Sequence, residues 1–582
     1  MIRRLLYALG VLVGLVVVVG VVSVWHALRI ERRLDGLAPV LAVAQKDAET
    51  GHLGAARAEL ATAESTLASA NASLYNSVDF KVLNLVPVGR QSLEAVRAGV
   101  RLGLQMVVGG EQIFNAASPL KSASGQLNIP LSAGHVPVAT LEQVSATIGA
   151  VVSTLPASPS PPGGSMILGP LRAHLAKVYA EAAARRAQLV SVGASVDLIN
   201  EIAGANGDRR YLIAVANTAE MRGSGGMILS YGVLTSHAGQ ITLSHFGPID
   251  QLALTQPVKV SLPHDFLAAY GGLGPTEQWR EANIMSDFTK VGPVLDAMYT
   301  QATGLPVDGV IQIDPSGLGA ILAGTGPVAV PDLGQVTAAN VVPLTLNQVY
   351  VEFPDRSVRQ DYLQAVARAA FAHLISGDYP SLRPLGTALA HASAARHVLM
   401  YDPTPSAEND IATLGFDGSL PGPGTDFAQL TVQNFGGDKM DYYLDSSLAI
   451  AGRRPQNADA DLTATIDLRD TAPPDGQPAY IFGPDNGDGD PPGAYRGLVT
   501  LYLPAGSYLQ GSTATSTVGT TPVAGTQNQI TAVTYAVVIP PGGSSHVALH
   551  VRLPPRAPGP EHFVFVPSPR INPTRETVAL VQ

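Results

Sequence analysis

Residues 211–234 read YLIAVANTAEMRGSGGMILSYGVL, and the fold follows from how this stretch is divided. Tyr211 to Ala216 is an unbroken apolar run of strand length, and Met227 to Leu234 is another. Between them lie Asn217, Glu220, Arg222 and the pair Gly225-Gly226, a polar, glycine-bearing connection. A third strand, Gln240 to Phe246, follows the turn His237-Ala-Gly239. Helical periodicity returns at Lys290 to Thr303. Val307 to Ile313 reads as a strand, Pro315 suits a first helical position, and Val358 to Ile375 is an amphipathic helix. Strands interleaved with helices predict a central mixed α/β domain over residues 205–400.

Downstream, residues 401–424 are expected to be a linker. Residues 425–582 carry at least six strand patterns, among them Ala428 to Gln433, Asp461 to Leu468, Leu498 to Leu503 and His546 to Leu553. Loops rich in Pro, Gly and Asp separate them, which predicts an immunoglobulin-like β-sandwich. Upstream, residues 26–204 are expected to be a helical stalk or bundle. Leu53, Leu60, Leu67 and Leu74 recur every seven residues with Ala56, Ala63 and Ala70 between them, a seam suited to close helix packing. That seam serves either an oligomeric stalk or a bundle within one chain. Residues 1–4, Met-Ile-Arg-Arg, precede an uncharged run from Leu5 to Trp25, about 21 residues or roughly 31 Å as a helix. It is expected to be a retained transmembrane helix, with residues 1–4 in the cytoplasm and the bulk of the chain outside. The fold class is thus a multidomain α+β chain of transmembrane helix, helical stalk, mixed α/β domain and β-sandwich.

The chain has 582 residues, a net charge of -10 and only 14% charged residues. Without a Lys/Arg cluster, an acidic chain is not a nucleic-acid binder. Hydrophobic residues at 46% are enough for packed cores. Cysteine is absent, which excludes disulfides, thiolate metal sites and cysteine nucleophiles. No P-loop, GxSxG or HExxH motif is present, and no metal site is expected.

Two clusters and one helix start carry the candidate ligand-binding residues. Arg222 can grip a phosphate or carboxylate beside the amides of Gly225 and Gly226, with Glu220 orienting it and Asn217 nearby. The same residues can instead form a buried pair that fixes a tight turn. Arg280, Asn283 and Asp287 can line the same cleft and bind sugar hydroxyls, or can form an ordinary polar loop with Asp287 near a helix N-cap. Arg356 and Arg359 can clamp an anion, or can belong to a solvated first helical turn. No catalytic residue and no cofactor is assigned.

The run Asn217-Thr-Ala-Glu220-Met-Arg222-Gly-Ser-Gly225-Gly226 resembles the signature N-x-x-E-x-R-x-x-G-G of the family called domain of unknown function 4012. Asn283-Ile-Met-Ser-Asp287-Phe288, Val307-Asp-Gly-Val-Ile-Gln-Ile-Asp-Pro315 and Thr325-Gly-Pro-Val328 resemble further elements of that family, in order, over about Asp208 to Ile375. The resemblance implies an anchored envelope protein of actinobacterial type, with no activity established. A remoter resemblance, to the LytR-CpsA-Psr glycopolymer transferases, rests on the order of Asn283, Val307-Asp308, Thr325 to Val328 and Arg356-Ser-Val-Arg359-Gln360. It departs at Pro248-Ile249-Asp250, where that family carries an arginine. Together they imply a membrane-anchored envelope protein that binds or handles a cell-surface polymer or its anionic, lipid-linked precursor. The alternatives are a glycopolymer phosphotransferase and a non-catalytic scaffold holding protein partners.

Overall fold

A computed structural model describes residues 37–581, except 50–51, 86, 121–130, 132, 159, 161–166, 168, 380–381, 476, 485–488, 516–517 and 557–562. The chain divides into two compact units. One holds residues up to 130 and 137–200, and the other holds residues 131–136 and 201 onward.

The first unit is helical. Its main helices are Leu37–Glu49, Leu53–Asn76, Pro87–Ala116, Val138–Thr154 and Gly169–Ile202. The seam of Leu53–Asn76 is spent inside the chain. Ala56, Leu60, Ala63, Leu67, Ala70 and Leu74 are all buried, in packing against the helices on either side in sequence. This is a bundle within one chain, as the small-large alternation permits. Glycines let Pro87–Ala116 sit at its centre. A Cβ on Gly103 or Gly110 would lie 3.3 or 3.4 Å from Leu67 or Leu60, and one on Gly99 or Gly109 only 2.8 or 2.6 Å from Leu175 or Val151.

The expected fold class needs correction at the N-terminus. Among the described residues no helix is long and apolar enough to cross a membrane, so what they show is a mixed α/β architecture with several sheets, and the expected transmembrane helix is not supported. The run Leu5–Trp25 lies outside the described residues.

The second unit opens with strands β1 (Arg209–Arg222), β2 (Gly225–His237), β3 (Gln240–Pro248), β4 (Gly309–Ile313), the small hairpin β5 (Val328–Val330) and β6 (Gly334–Val336), and β7 (Val398–Tyr401). The five-stranded sheet runs β3-β2-β1-β4-β7, with β1 and β4 parallel and the other pairs antiparallel. On β1, alternate residues serve opposite faces. Leu212 and Ala214 join a core with helices His264–Tyr270 and Phe288–Thr303, while Tyr211 and Ile213 join one with helices Pro315–Thr325 and Arg356–Ser376. The result is a three-layer arrangement. The segment 131–136, expected within the helical region, instead lies along β3, where Gly134 accepts from the Ile241 amide and Val136 donates to Gly239.

The expected linker 401–424 is ordered. Helix Pro405–Thr413 buries Ile411, and Phe288 donates its amide to Gly418. Beyond it come β8 (Asp426–Asn434), β9 (Leu444–Arg453), β10 (Ala460–Asp470), β11 (Tyr495–Leu503), β12 (Tyr508–Thr515), β13 (Val518–Gly519), β14 (Val523–Gln527), β15 (Ile530–Ile539), β16 (Ser544–Leu553), β17 (Phe563–Phe565) and β18 (Arg575–Val581). Two sheets, β12-β16-β10-β9-β18 and β13-β15-β11-β8-β17, share one core. Each ends in a parallel pair, β18 on β9 and β17 on β8, where an immunoglobulin domain is antiparallel throughout. The immunoglobulin-like label is therefore replaced by a mixed-edge sandwich.

Replacing Gly109 by valine should overpack the centre of the helical bundle against Val151. We expect a loss of about 1–3 kcal/mol, read as a lower denaturant midpoint, whereas Gly149→Ala, with open space around it, should cost little.

Candidate functional site

The signature segment lies on a β-bulge. β1 pairs with β2 through Asn217↔Met227 and resumes at Met221↔Gly226, so residues 218–220 have no ladder partner on β2. Such a bulge re-aims the side chains that follow it. Here it directs the end of β1 into the sandwich: Met221 is fully buried in the sandwich core, and its amide donates to Asp441 Oδ2 at 2.9 Å.

Asn217, Glu220 and Arg222 each have a partner within the chain, whereas the buried Thr218 hydroxyl has none among the described residues. Glu220 Oε1 meets Lys439 Nζ at 2.5 Å, and the lysine side chain has no exposed surface. Arg222 makes a two-pronged bridge to Glu281, with Nε–Oε2 at 2.8 Å and Nη2–Oε1 at 2.7 Å. Its Nη1 donates to the carbonyls of Met221 and Asn434 at 2.9 and 3.0 Å. Asn217 donates to the Tyr350 hydroxyl at 3.0 Å and accepts from the Ala219 amide. The glycines serve close approach of backbone. A Cβ on Gly226 would fall 2.0 Å from the Asn217 carbonyl, and one on Gly225 would fall 2.7 Å from Gln312 Nε2. Their surroundings are filled with protein, which leaves no space for a phosphate.

The second cluster closes the same region. Asn283 donates to the Gly226 carbonyl at 2.8 Å and accepts from the Ser224 amide through its own carbonyl. Asp287 caps helix Phe288–Thr303 by accepting from Thr289. It also borders a small crevice lined with Met285, Ser286, Tyr502, Asn528 and Ile530, which none of the other candidate residues reaches.

The arginines do not act together. Arg222 and Arg359 are buried. Arg359 donates to the carbonyls of Phe353 and Pro354 and lies 4.6 Å from the Tyr480 ring centre. Tyr480 stacks on Tyr350, and Lys439 Nζ lies 4.3 and 5.3 Å from the Tyr350 and Tyr480 ring centres, so both cations sit against the same aromatic pair. Arg280 and Arg356 instead lie on the surface, and both pair with Asp250, at 3.0 and 2.9 Å.

The sequence reading missed the other half of this network. Asn434 ends β8, and Asp438, Lys439 and Asp441 lie in the connection to β9, where the pattern Met440 to Leu444 reads as a strand but the chain forms a short 3-10 turn over Met440–Tyr443. Asn434 donates one amide nitrogen to both Asp438 Oδ1 and Asp441 Oδ2, at 2.8 and 3.0 Å. Burial pushes Asp438 up to about 7 and raises Asp441 also. Burial alone would lower Lys439, but Glu220 outweighs it and holds the ammonium above its ordinary value. Among the described residues no group of three or more acidic or histidine side chains is placed to hold a metal ion.

A three-layer α/β domain whose central strand runs into a β-sandwich is the class that this geometry defines. Residues 206–350 match the family described as protein of unknown function DUF4012. No curated protein and no solved structure matches the chain. The match ends at Tyr350, so Lys439 and the rest of the β8–β9 connection lie outside it.

Removing Lys439 strands a buried carboxylate. Lys439→Ala should cost about 3–5 kcal/mol, seen in chemical denaturation, while Lys439→Met combined with Glu220→Gln should recover most of it. For the same reason residues 425–582 alone should lack a cooperative unfolding transition.

Asp438 gives a pH dependence of defined sign. The folded carboxyl keeps its proton up to about pH 7, whereas its unfolded counterpart loses it near the ordinary value of 3.8. Between those values the folded state binds more protons, so this group's contribution falls as pH rises and levels off above about 7. Each pH unit is worth about 1.4 kcal/mol. Asp438→Asn should therefore stabilise the protein at pH 8 by on the order of a few kcal/mol and flatten its pH profile between 4 and 7. An unchanged profile would exclude this assignment.

Proposed function

We propose that this chain is a non-catalytic scaffold of the cell envelope that binds an anionic surface polymer through Arg280 and Arg356. The observation carrying this reading is the shared aspartate. Asp250 faces both guanidinium groups, and the three side chains are 50%, 45% and 61% exposed. One carboxylate for two arginines leaves an excess positive charge. Each guanidinium has five N–H donors and spends few of them on Asp250. Side by side on the surface, the two suit successive phosphates or carboxylates of a polymer, which Arg binds by paired hydrogen bonds. The segments that deliver them are the 3-10 turn Ile249–Gln251 after β3, the loop before helix Phe288–Thr303, and the start of helix Arg356–Ser376.

The non-catalytic part rests on the placement of the signature. A phosphotransferase would need Arg222 facing a diphosphate, but that guanidinium is committed to Glu281 and two carbonyls. The burial of Asn217, Glu220, Arg222 and Asn283 supports a structural role in joining the α/β domain to the sandwich. A place in the envelope is supported by the sequence, where an apolar run follows Arg3-Arg4.

Titration of the protein with poly(glycerol phosphate), followed by calorimetry, tests the binding. The wild type should bind in a salt-dependent way, and Arg280→Ala with Arg356→Ala should weaken binding roughly tenfold or more, as expected for charged hydrogen bonds. Asp250→Asn, which removes the internal competitor, should tighten it. Equal affinity in all three proteins would overturn the assignment.

A further inference from the structure

The helical unit leaves one concentrated apolar patch in solvent. Among the described residues of that unit six large hydrophobic side chains are exposed, and four of them, Tyr75, Val78, Leu85 and Val88, fall within 14 residues. Val78 is 74% and Leu85 80% exposed. They occupy the tip where helix Leu53–Asn76 turns through the short helix Val78–Leu83 into Pro87–Ala116. Scattered exposed hydrophobics are ordinary, but a cluster at the end of a hairpin marks an interaction surface.

The charges around the tip select the partner. From residue 75 to 101 the sequence has four cations, Lys81, Arg90, Arg97 and Arg101, against two acids, Asp79 and Glu94. Two of the cations are tied to the patch itself. Arg101 donates to the Tyr75 hydroxyl at 2.7 Å, and Arg97 lies 4.3 Å from the Tyr75 ring centre while donating to the Leu74 carbonyl. Lys81 and Arg90 are exposed beside the apolar residues. An apolar end with a basic collar is the pattern that places side chains among acyl chains and cations against anionic headgroups.

Chain direction agrees with this. The connection 50–52 is short, so Leu37–Glu49 and Leu53–Asn76 run antiparallel. The far end of the second helix therefore lies on the side where Leu37–Glu49 begins, and the apolar run Leu5–Trp25 precedes that helix in sequence.

We propose that the tip formed by Tyr75, Val78, Leu85 and Val88 inserts into the headgroup region of an anionic lipid surface, with Lys81 and Arg90 at the phosphates. This is a contact separate from the polymer site at Asp250, and either can fail without the other. The chain has no cysteine, so a single label can be introduced cleanly. Full-length protein carrying Leu85→Cys, labelled with an environment-sensitive fluorophore, is mixed with vesicles containing one-third phosphatidylglycerol and brominated lipids. The label should shift to the blue and be quenched several-fold. Lys81→Ala with Arg90→Ala should reduce the quenching at least threefold, and so should vesicles of phosphatidylcholine alone. Because all these positions are exposed, the variants should retain the wild-type denaturation midpoint. A label that stays unquenched, or quenching indifferent to both the cations and the lipid charge, overturns the proposal. An unquenched label accompanied by a blue shift that depends on protein concentration assigns the tip to a second copy of the chain instead.

Discussion

The contact between Glu220 and Lys439 is the constraint around which the larger unit is arranged. Two charges separated by 219 residues in sequence meet at 2.5 Å where water does not reach the lysine. Such a pair is costly to desolvate and tolerates little error in geometry, because either charge left alone destabilises the fold by several times the gain of the pair. Everything near it serves that geometry. The bulge on β1 turns Glu220 out of the ladder, and Arg222 ties the strand end to Glu281 and Asn434. Tyr350 gives the ammonium an aromatic face, and the Asn434 fork fixes the connection that carries Lys439.

One consequence is that the α/β domain and the sandwich do not behave as beads on a string. Met221 and Tyr350, both from the α/β part of the chain, are members of the sandwich core. The stretch 401–424 that joins the two parts contains a helix that buries Ala407 and Ile411, and Arg396 donates to the carbonyls of Ser286 and Gly418. A site held this rigidly suits a body that presents surfaces at fixed spacing. It leaves the chemistry of recognition to groups outside the network, and Arg280 and Arg356 are such groups.

Much of the architecture was legible in the chain. The apolar runs at Tyr211 and Met227, the turn before Gln240 and the helix after Pro315 are visible because burial on both faces demands continuous apolar strands and helix starts have chemical markers. Asp287 at its N-cap is another such marker. The roles of Glu220 and Arg222 were not legible. A charged pair beside glycines looks alike whether it awaits a ligand or is already satisfied, since the difference lies in partners such as Lys439 that are remote in sequence. Arg359 and Arg356 show the same ambiguity within one helical turn: three residues apart, one is buried against tyrosines and the other is in solvent.

By itself the sequence determined the order of the parts, the cysteine-free chemistry, the family of residues 206–350 and the alternation that makes the sheets. These depend on local periodicity and on residue type, which a linear chain displays directly. Tertiary structure alone decided that the leucine-alanine seam is used within one chain, that the signature is a joint and that Asp250 gathers two arginines on the surface. Those outcomes depend on which distant groups meet in space and on how much water remains between them. Neither quantity is written in any local stretch of the chain.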